Sequence, residues 1–275
     1  MCNSIFIAPV WAPAKWKCTD MASRVFAVAA HADDIEFGMA GTLLLLGRAG
    51  CEIHYMNIAN GSCGTAEFDA ETIAAMRLEE AREAAGKIGA VFHPPLVPDI
   101  EIFYEKELLA RVASVMRLVA PDILLVQSPQ DYMEDHMNAC RLAISAAFCR
   151  GMRNLPVDPP RDPVGNDVAV YHAQPHGNRD PLNRPVSPDF CVNIGSVIDA
   201  KTDMLATHRS QKEWLDRSQG FDSYLHTMRD LACELGEATG SCEYAEGWRR
   251  HNPLGLCSSG ADPLVDLLRD YVTDL

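Results

Sequence analysis

The chain has 275 residues, enough for one large domain or two modest ones around a sizeable core. Hydrophobic residues make up 48% and charged residues 23%, an ordinary globular balance that excludes wholesale disorder. The formal net charge of -14 argues against nucleic acid and anionic membrane surfaces as partners, since both need a positive footprint.

The opening MCNSIFIAPVWAPAKWKCTD is interrupted by Pro9 and Pro13 and lacks the charged start and continuous apolar core of a secretory signal. It reads either as an extension packed on the domain or as a start placed ahead of Met21. No later stretch reaches the roughly 18 consecutive apolar residues of a membrane span. None of the ten cysteines forms a C-x-x-C pair, so the usual structural zinc spacing is absent. Buried small hydrophobes in a reducing, cytoplasmic compartment are the expectation for most of them.

From Arg24 short apolar runs alternate with longer amphipathic ones. RVFAVAA (24–30) predicts a buried strand and GMAGTLLLLGRAG (38–50) a helix closed by Gly50. EIHYMNIA (52–59) predicts a strand, followed by the loop NGSCG. Residues 70–89 and 106–119 predict helices, the second stopped by Pro121. DILLVQS (122–128) predicts another buried strand, and HMNACRLAISAAFC a helix to about Cys149. Pro-rich loops at 155–166 and 175–188 are long enough to be a lid or a site wall. DVAVYHA and FCVNIG predict strands, 197–235 a long helical region, and 263–275 a short amphipathic helix. The alternation implies a Rossmann-like α/β fold, a mainly parallel sheet with helices on both faces, plus a C-terminal helical part from about 197. In such sheets ligands sit beyond the carboxyl ends of the strands.

Two clusters stand at such ends. His31, Asp33 and Asp34 follow the first strand, and Asp131, Glu134, Asp135 and His136 follow DILLVQS. Two imidazoles and a carboxylate with a position open to water are the ligand set of a catalytic zinc site. Helix capping by Asp33, Asp34 or Asp135 is the bland alternative for each cluster alone. The convergence of two clusters favours metal.

AHADD with a following acidic residue and GMAGTL resembles the AHPDD-x-E-x-G-x-G-G-T opening of the PIG-L/LmbE-like zinc N-deacetylases. MRLEEAREAAGKIGA, DYMEDH and HRSQ are similar to that family's later motifs, so the resemblance runs from about Arg24 to Gln211. It implies a deacetylase domain over 23–275 after an N-terminal extension of residues 1–22. It also implies a metal-dependent hydrolase that removes an N-acetyl or N-acyl group from a small amino sugar or glycoside. An amidase on a larger N-acyl or thiol-conjugate substrate and a degenerate, non-catalytic metal- or sugar-binding member are the alternatives. The resemblance assigns the metal to His31, Asp34 and His136, with Zn2+ preferred and other divalent ions accepted. It makes Asp33 the general base and Asp135 a residue that orients a neighbouring imidazole. Arg77 and Asp99 fall where relatives clamp sugar hydroxyls; a helix-face charge and a turn residue are the plainer readings. For HRSQ a polar helix face or a buried hydrogen-bonding cluster is preferred to a site role.

The sequence departs from the family's pattern at two places. Ala32 replaces a proline, and Met133-Glu134 replaces the His-Pro of the second motif. The lost histidine is credited with stabilising the tetrahedral intermediate. His176, between Pro175 and Gly177 at the end of a predicted strand, is the expected substitute donor, with a surface loop histidine as the alternative and His172 or Tyr132 as fallbacks. The expected partner is a small N-acylated molecule, not nucleic acid or membrane; homo-oligomerisation is left open.

Overall fold

A computed structural model describes residues 22–211, 215 and 224–273. The expected N-terminal extension therefore lies, except for Ala22, outside the described residues.

Five strands form the parallel part of one sheet: β1 (Arg24–Ala29), β2 (Glu52–Asn57), β3 (Val91–His93), β4 (Ile123–Val126) and β5 (Ala169–Ala173). β6 (Phe190–Asn193), β7 (Ala245–Arg250) and β8 (Val272–Thr273) continue it antiparallel, giving the order β3-β2-β1-β4-β5-β7-β6-β8. β1 is apolar at nearly every position because both faces of the sheet are covered, and its side chains divide by parity. Val25, Ala27 and Ala29 enter one core with Ile123 and Leu125, against α2 (Ala40–Arg48), α3 (Ala70–Lys87), α6 (Ile198–Leu205) and α7 (Tyr224–Thr239). Phe26, Val28 and Ala30 enter the other with Leu124 and Val126, against α4 (Lys106–Val119) and α5 (Glu134–Cys149). This is the two-sided burial expected for parallel strands.

β1 and β4 are adjacent, and the chain winds away from them in opposite directions, toward β2 and β3 on one side and β5 on the other. Their carboxyl ends therefore open at the topological switch point, where this class of sheet leaves a crevice.

Some expectations need correction. The helix expected over 38–50 is α2, and a short helix the sequence reading did not foresee, α1 (Asp34–Gly38), precedes it, divided from it by Met39 at φ -136. The part beyond 197 carries helices as expected, but also β7 and β8. AEGWRR was unreadable as a strand because one of its buried positions is a glutamate. Glu246 turns inward to accept from the Gly41 N–H (2.8 Å), the Thr42 N–H (2.7 Å) and the buried Lys201 Nζ (2.6 Å). The expected terminal helix shortens to α8 (Pro263–Leu267) before β8. The loop 155–166 is no site wall. Arg117 of α4 pins it from behind by donating to the carbonyls of Leu155 and Arg161, as Ser114 does to that of Pro159.

Candidate active site

The two strand-end clusters meet. One ligand atom each from His31, Asp34 and His136 can lie within 4.8 Å of one another, and no other such group of described residues occurs. Asp34 sits between the rings, its Oδ2 3.5 Å from His31 Nδ1 and its Oδ1 3.4 Å from His136 Nε2. The outer nitrogens are held by two further carboxylates. His31 Nε2 lies 3.1 Å from Asp135 Oδ2, and His136 Nδ1 lies 3.0 Å from Asp131 Oδ1. With the outer nitrogens so occupied, His31 Nδ1 and His136 Nε2 are left facing Asp34, which is how metal-binding imidazoles are oriented.

The electrostatics agree. Burial opposes protonation of His31, yet hydrogen bonds to Asp135 and Asp34 push it up to about 10. His136 is likewise raised against its burial by Asp34 and Asp131. Asp34 is held well below the usual carboxylate range, against its own desolvation, by His136 and His31. A buried cluster that draws cations this strongly, with two nitrogens and a carboxylate converging, suits a small divalent ion.

Asp135, expected to orient an imidazole, lies against His31. Its Oδ2 also accepts from the Ile100 N–H (2.7 Å), and Ile100 has φ 65, a left-handed conformation that β-branched residues disfavour. Asp131 was only one member of a cluster in the sequence. Here it fixes His136 with one oxygen and accepts the His176 N–H (3.1 Å) with the other. It thereby ties the loop after β5 to the His31–Asp34–His136 cluster.

Asp33 caps α1 in a left-handed conformation (φ 99) and is almost fully buried beside Asp34. Its Oδ2 accepts a hydrogen bond from the Tyr224 hydroxyl of α7. Burial and the Asp34 charge push Asp33 up to about 6, in the range that suits a general base near neutral pH. Nothing in the sequence marks Tyr224, 191 residues away, as its partner.

These groups line a cavity of about 440 Å³ that also reaches Arg77, Asp99, Met133 and His176. Met133 stands at the start of α5 and offers no polar hydrogen there. The ring of His176 lies 4.9 Å from that of Phe37 and 5.4 Å from that of Tyr132, whose own centre is 5.5 Å from His136. His172 faces away, bonded to His251 (3.0 Å) and close to Cys140. Asp99 uses both oxygens on the NGSCG loop, accepting from the Gly61 N–H (2.6 Å) and the Cys63 N–H (2.9 Å). In HRSQ, His208 and Ser210 are buried in a polar cluster, Ser210 donating to Glu80 and His208 Nε2 lying 3.2 Å from Glu36, whereas Arg209 is exposed and Gln211 lines the cavity.

Comparison with known proteins adds a family. Residues 26–147 match the PIG-L family, described as GlcNAc-PI de-N-acetylase. That stretch runs from β1 through both histidine clusters. Residues 26–147 are thus of the PIG-L family. Over 233 residues the chain is 28% identical to the diacetylchitobiose deacetylase of Thermococcus kodakarensis, covering 82% of each. A solved structure, the N,N'-diacetylchitobiose deacetylase of Pyrococcus horikoshii, is 25% identical with a TM-score of 0.69 over 86% of each chain. The chain is also 28% identical over 182 residues to the 4-oxalmesaconate hydratase of Pseudomonas putida, covering 63% of this chain and 68% of that protein. The PIG-L match contains the candidate ligands His31, Asp34 and His136 together with Asp33, Arg77 and Asp99. His176 and Tyr224 come from beyond it. Among the described residues no helix is long and apolar enough to cross a membrane.

Proposed function

We propose that this protein is a divalent-metal-dependent hydrolase, with zinc the favoured ion, that removes the N-acetyl or N-acyl group from a small amino sugar or glycoside. The observation that carries the reading is Asp33. It is a buried carboxylate outside the ligand set, next to it in the chain, and held by Tyr224. A pure binding protein has no use for such a group.

A divalent ion held by His31, Asp34 and His136 would polarise the acyl carbonyl and acidify a water. Asp33 takes the proton of the attacking water and passes it to the departing amine. Tyr224 fixes the direction of the Asp33 carboxylate, while Asp135 and Asp131 fix the two imidazoles. Negative charge builds on the carbonyl oxygen, and one donor to such an oxygen is worth about 2.7–4 kcal/mol. Met133 cannot donate, so His176 on the cavity wall takes that role. Arg77 and Asp99 shape the far side, where the body of the substrate sits. The ligand is a small molecule; the charge of -14 disfavours nucleic acid and membrane surfaces, and a homo-oligomer is compatible with this site. The eight described cysteines, all unpaired, suit a reducing cytoplasm.

The second reading is a metal-dependent hydratase acting on an unsaturated acid. It is favoured by Met133 in place of the family histidine, together with the similarity to the Pseudomonas putida hydratase. A screen of N-acetylated and longer N-acylated sugars with zinc-loaded protein, followed by free-amine detection, tests the first reading. Amine release is the expected result. Metal-replete protein that frees no amine, yet bleaches the absorbance of a conjugated unsaturated acid, replaces it with the second.

A further inference from the structure

One face of α7 borders the active-site cavity. Tyr224, Thr227, Met228, Leu231 and Leu235 all line it, and steps of three and four residues set them on a single stripe. Tyr224 stands at the general base, its hydroxyl bonded to Asp33. From there to Leu235 the stripe runs about 16 Å, at about 1.5 Å per residue. Met228 is buried in the core under the sheet, whereas Thr227 and Leu231 are only half-buried. The inner edge of the stripe therefore packs the fold, and its outer edge is left to the cavity.

The end of α1 continues this flank. Phe37, half-buried, holds its ring 5.7 Å from that of Tyr224 and 4.9 Å from that of His176. Gly38 follows on the cavity wall, and a Cβ there would meet no neighbouring atom within 4 Å. Open space thus lies directly beside the rings. The polar side chains of the flank give their N–H groups to the protein. Lys201 Nζ donates to Glu246 (2.6 Å), and Asn178 Nδ2 to the Leu231 carbonyl (3.2 Å) and Glu234 (3.0 Å). Gln174 Nε2 donates to the Val186 carbonyl. What the flank offers a ligand is mostly carbon.

An acetyl group cannot cover such a surface, since its methyl ends one carbon–carbon bond, about 1.5 Å, past the carbonyl carbon. Sugar hydroxyls suit it poorly, because they would lose water against carbon without gaining a partner. We infer that this flank is an acyl channel, so that the substrate is an amino sugar whose N-acyl group is an apolar chain of medium length. The inference rests on the deacylase reading above for the bond that is cleaved. The stripe begins at Asp33, beside the scissile amide, so the chain that enters it is the one on the carbonyl carbon. In the reaction the water oxygen joins that carbon, and the carbon–nitrogen bond breaks with its electron pair on nitrogen. Asp33 passes the water's proton to the amine. The products are a medium-chain carboxylate and a free amino sugar.

The test measures free-amine release by the zinc-loaded full chain from glucosamine carrying N-acetyl, N-butyryl, N-hexanoyl or N-octanoyl groups. Each methylene laid on the stripe should raise kcat/KM by about fourfold, so hexanoyl should exceed acetyl by at least about tenfold. The octyl glycoside of N-acetylglucosamine carries its chain on the glycosidic oxygen and should gain nothing over the methyl glycoside. Leu231→Trp and Gly38→Leu both put bulk into the channel, and each should flatten the hexanoyl-to-acetyl ratio. A flat series, a preference for acetyl, or a ratio untouched in both folded variants would overturn the channel. So would an equal gain from the octyl glycoside, which would give the flank to an aglycone. If no sugar releases amine, calorimetric binding of the same series decides. Binding that tightens with chain length, and does so less in Gly38→Leu, upholds the channel and defeats only the deacylase reading. Binding independent of length defeats the channel.

Discussion

The two walls of the cavity are built in different ways. The metal wall comes from two short stretches, His31 to Asp34 and Asp131 to His136, each at the end of a parallel strand. Adjacent strands bring these stretches together, and the ring nitrogens are oriented by carboxylates from the second stretch. The opposite wall comes from α7, β7 and the loop after β5, outside the PIG-L match. Its contributions are single residues: Tyr224 on Asp33, His176 over the cavity, and Glu246 on the first turn of α2. The first wall lies within the PIG-L match and the opposite wall outside it, so a relative that shares only that match need share only the first.

Breaking the metal wall should have the largest effect. His31→Ala and His136→Ala each remove one of three ligands, and elemental analysis should show the ion lost together with all measurable turnover. Near-stoichiometric metal in either variant would place the ion elsewhere. Asp33→Asn should keep the metal while turnover falls by roughly two to four orders of magnitude, the usual scale for a lost general base. Native-like turnover would remove Asp33 from that role.

His176→Ala tests the opposite wall by the same measurement. Its turnover should fall about 10²–10³-fold with metal content intact, as for a lost oxyanion donor. Unchanged kinetics would return the role to the ion alone or to Tyr132. Asp131→Asn sits between the two walls, since it holds both His136 and the His176 backbone. Competition with a chelator should show metal affinity reduced about 10–100-fold, as expected when the partner of an imidazole is weakened.

Gly41→Ala should have the least effect on chemistry. Its new Cβ would lie 2.6 Å from Ile194 Cγ2 and 2.9 Å from Glu246 Oε1, an overpacking that costs about 1–3 kcal/mol of stability. Denaturant melts should report the loss while metal content stays native. An unshifted melt would mean that Ile194 and Glu246 yield at no cost.

How much was legible before the fold follows from the same division. The parallel strands could be read because each is a continuous apolar run buried on both faces. β7 could not, because its inward glutamate answers the N-terminus of α2 and Lys201 instead of an apolar neighbour. The short α1 ahead of Met39 was also hidden, since its five residues are too few to show a helical period.

At the site, type and strand-end position made two clusters of histidines and carboxylates legible, where a parallel sheet concentrates ligands, and the family resemblance singled out His31, Asp34 and His136 among them. Asp135 was legible for the same reason. Tyr224, the second contact of Asp131 and the unpaired state of Arg77 were not. The sequence by itself determined that two clusters of histidines and carboxylates follow parallel strands, because that depends on residue type and local chain path. Only the tertiary structure decided which groups stand buried without a partner, since that depends on neighbours brought from distant parts of the chain.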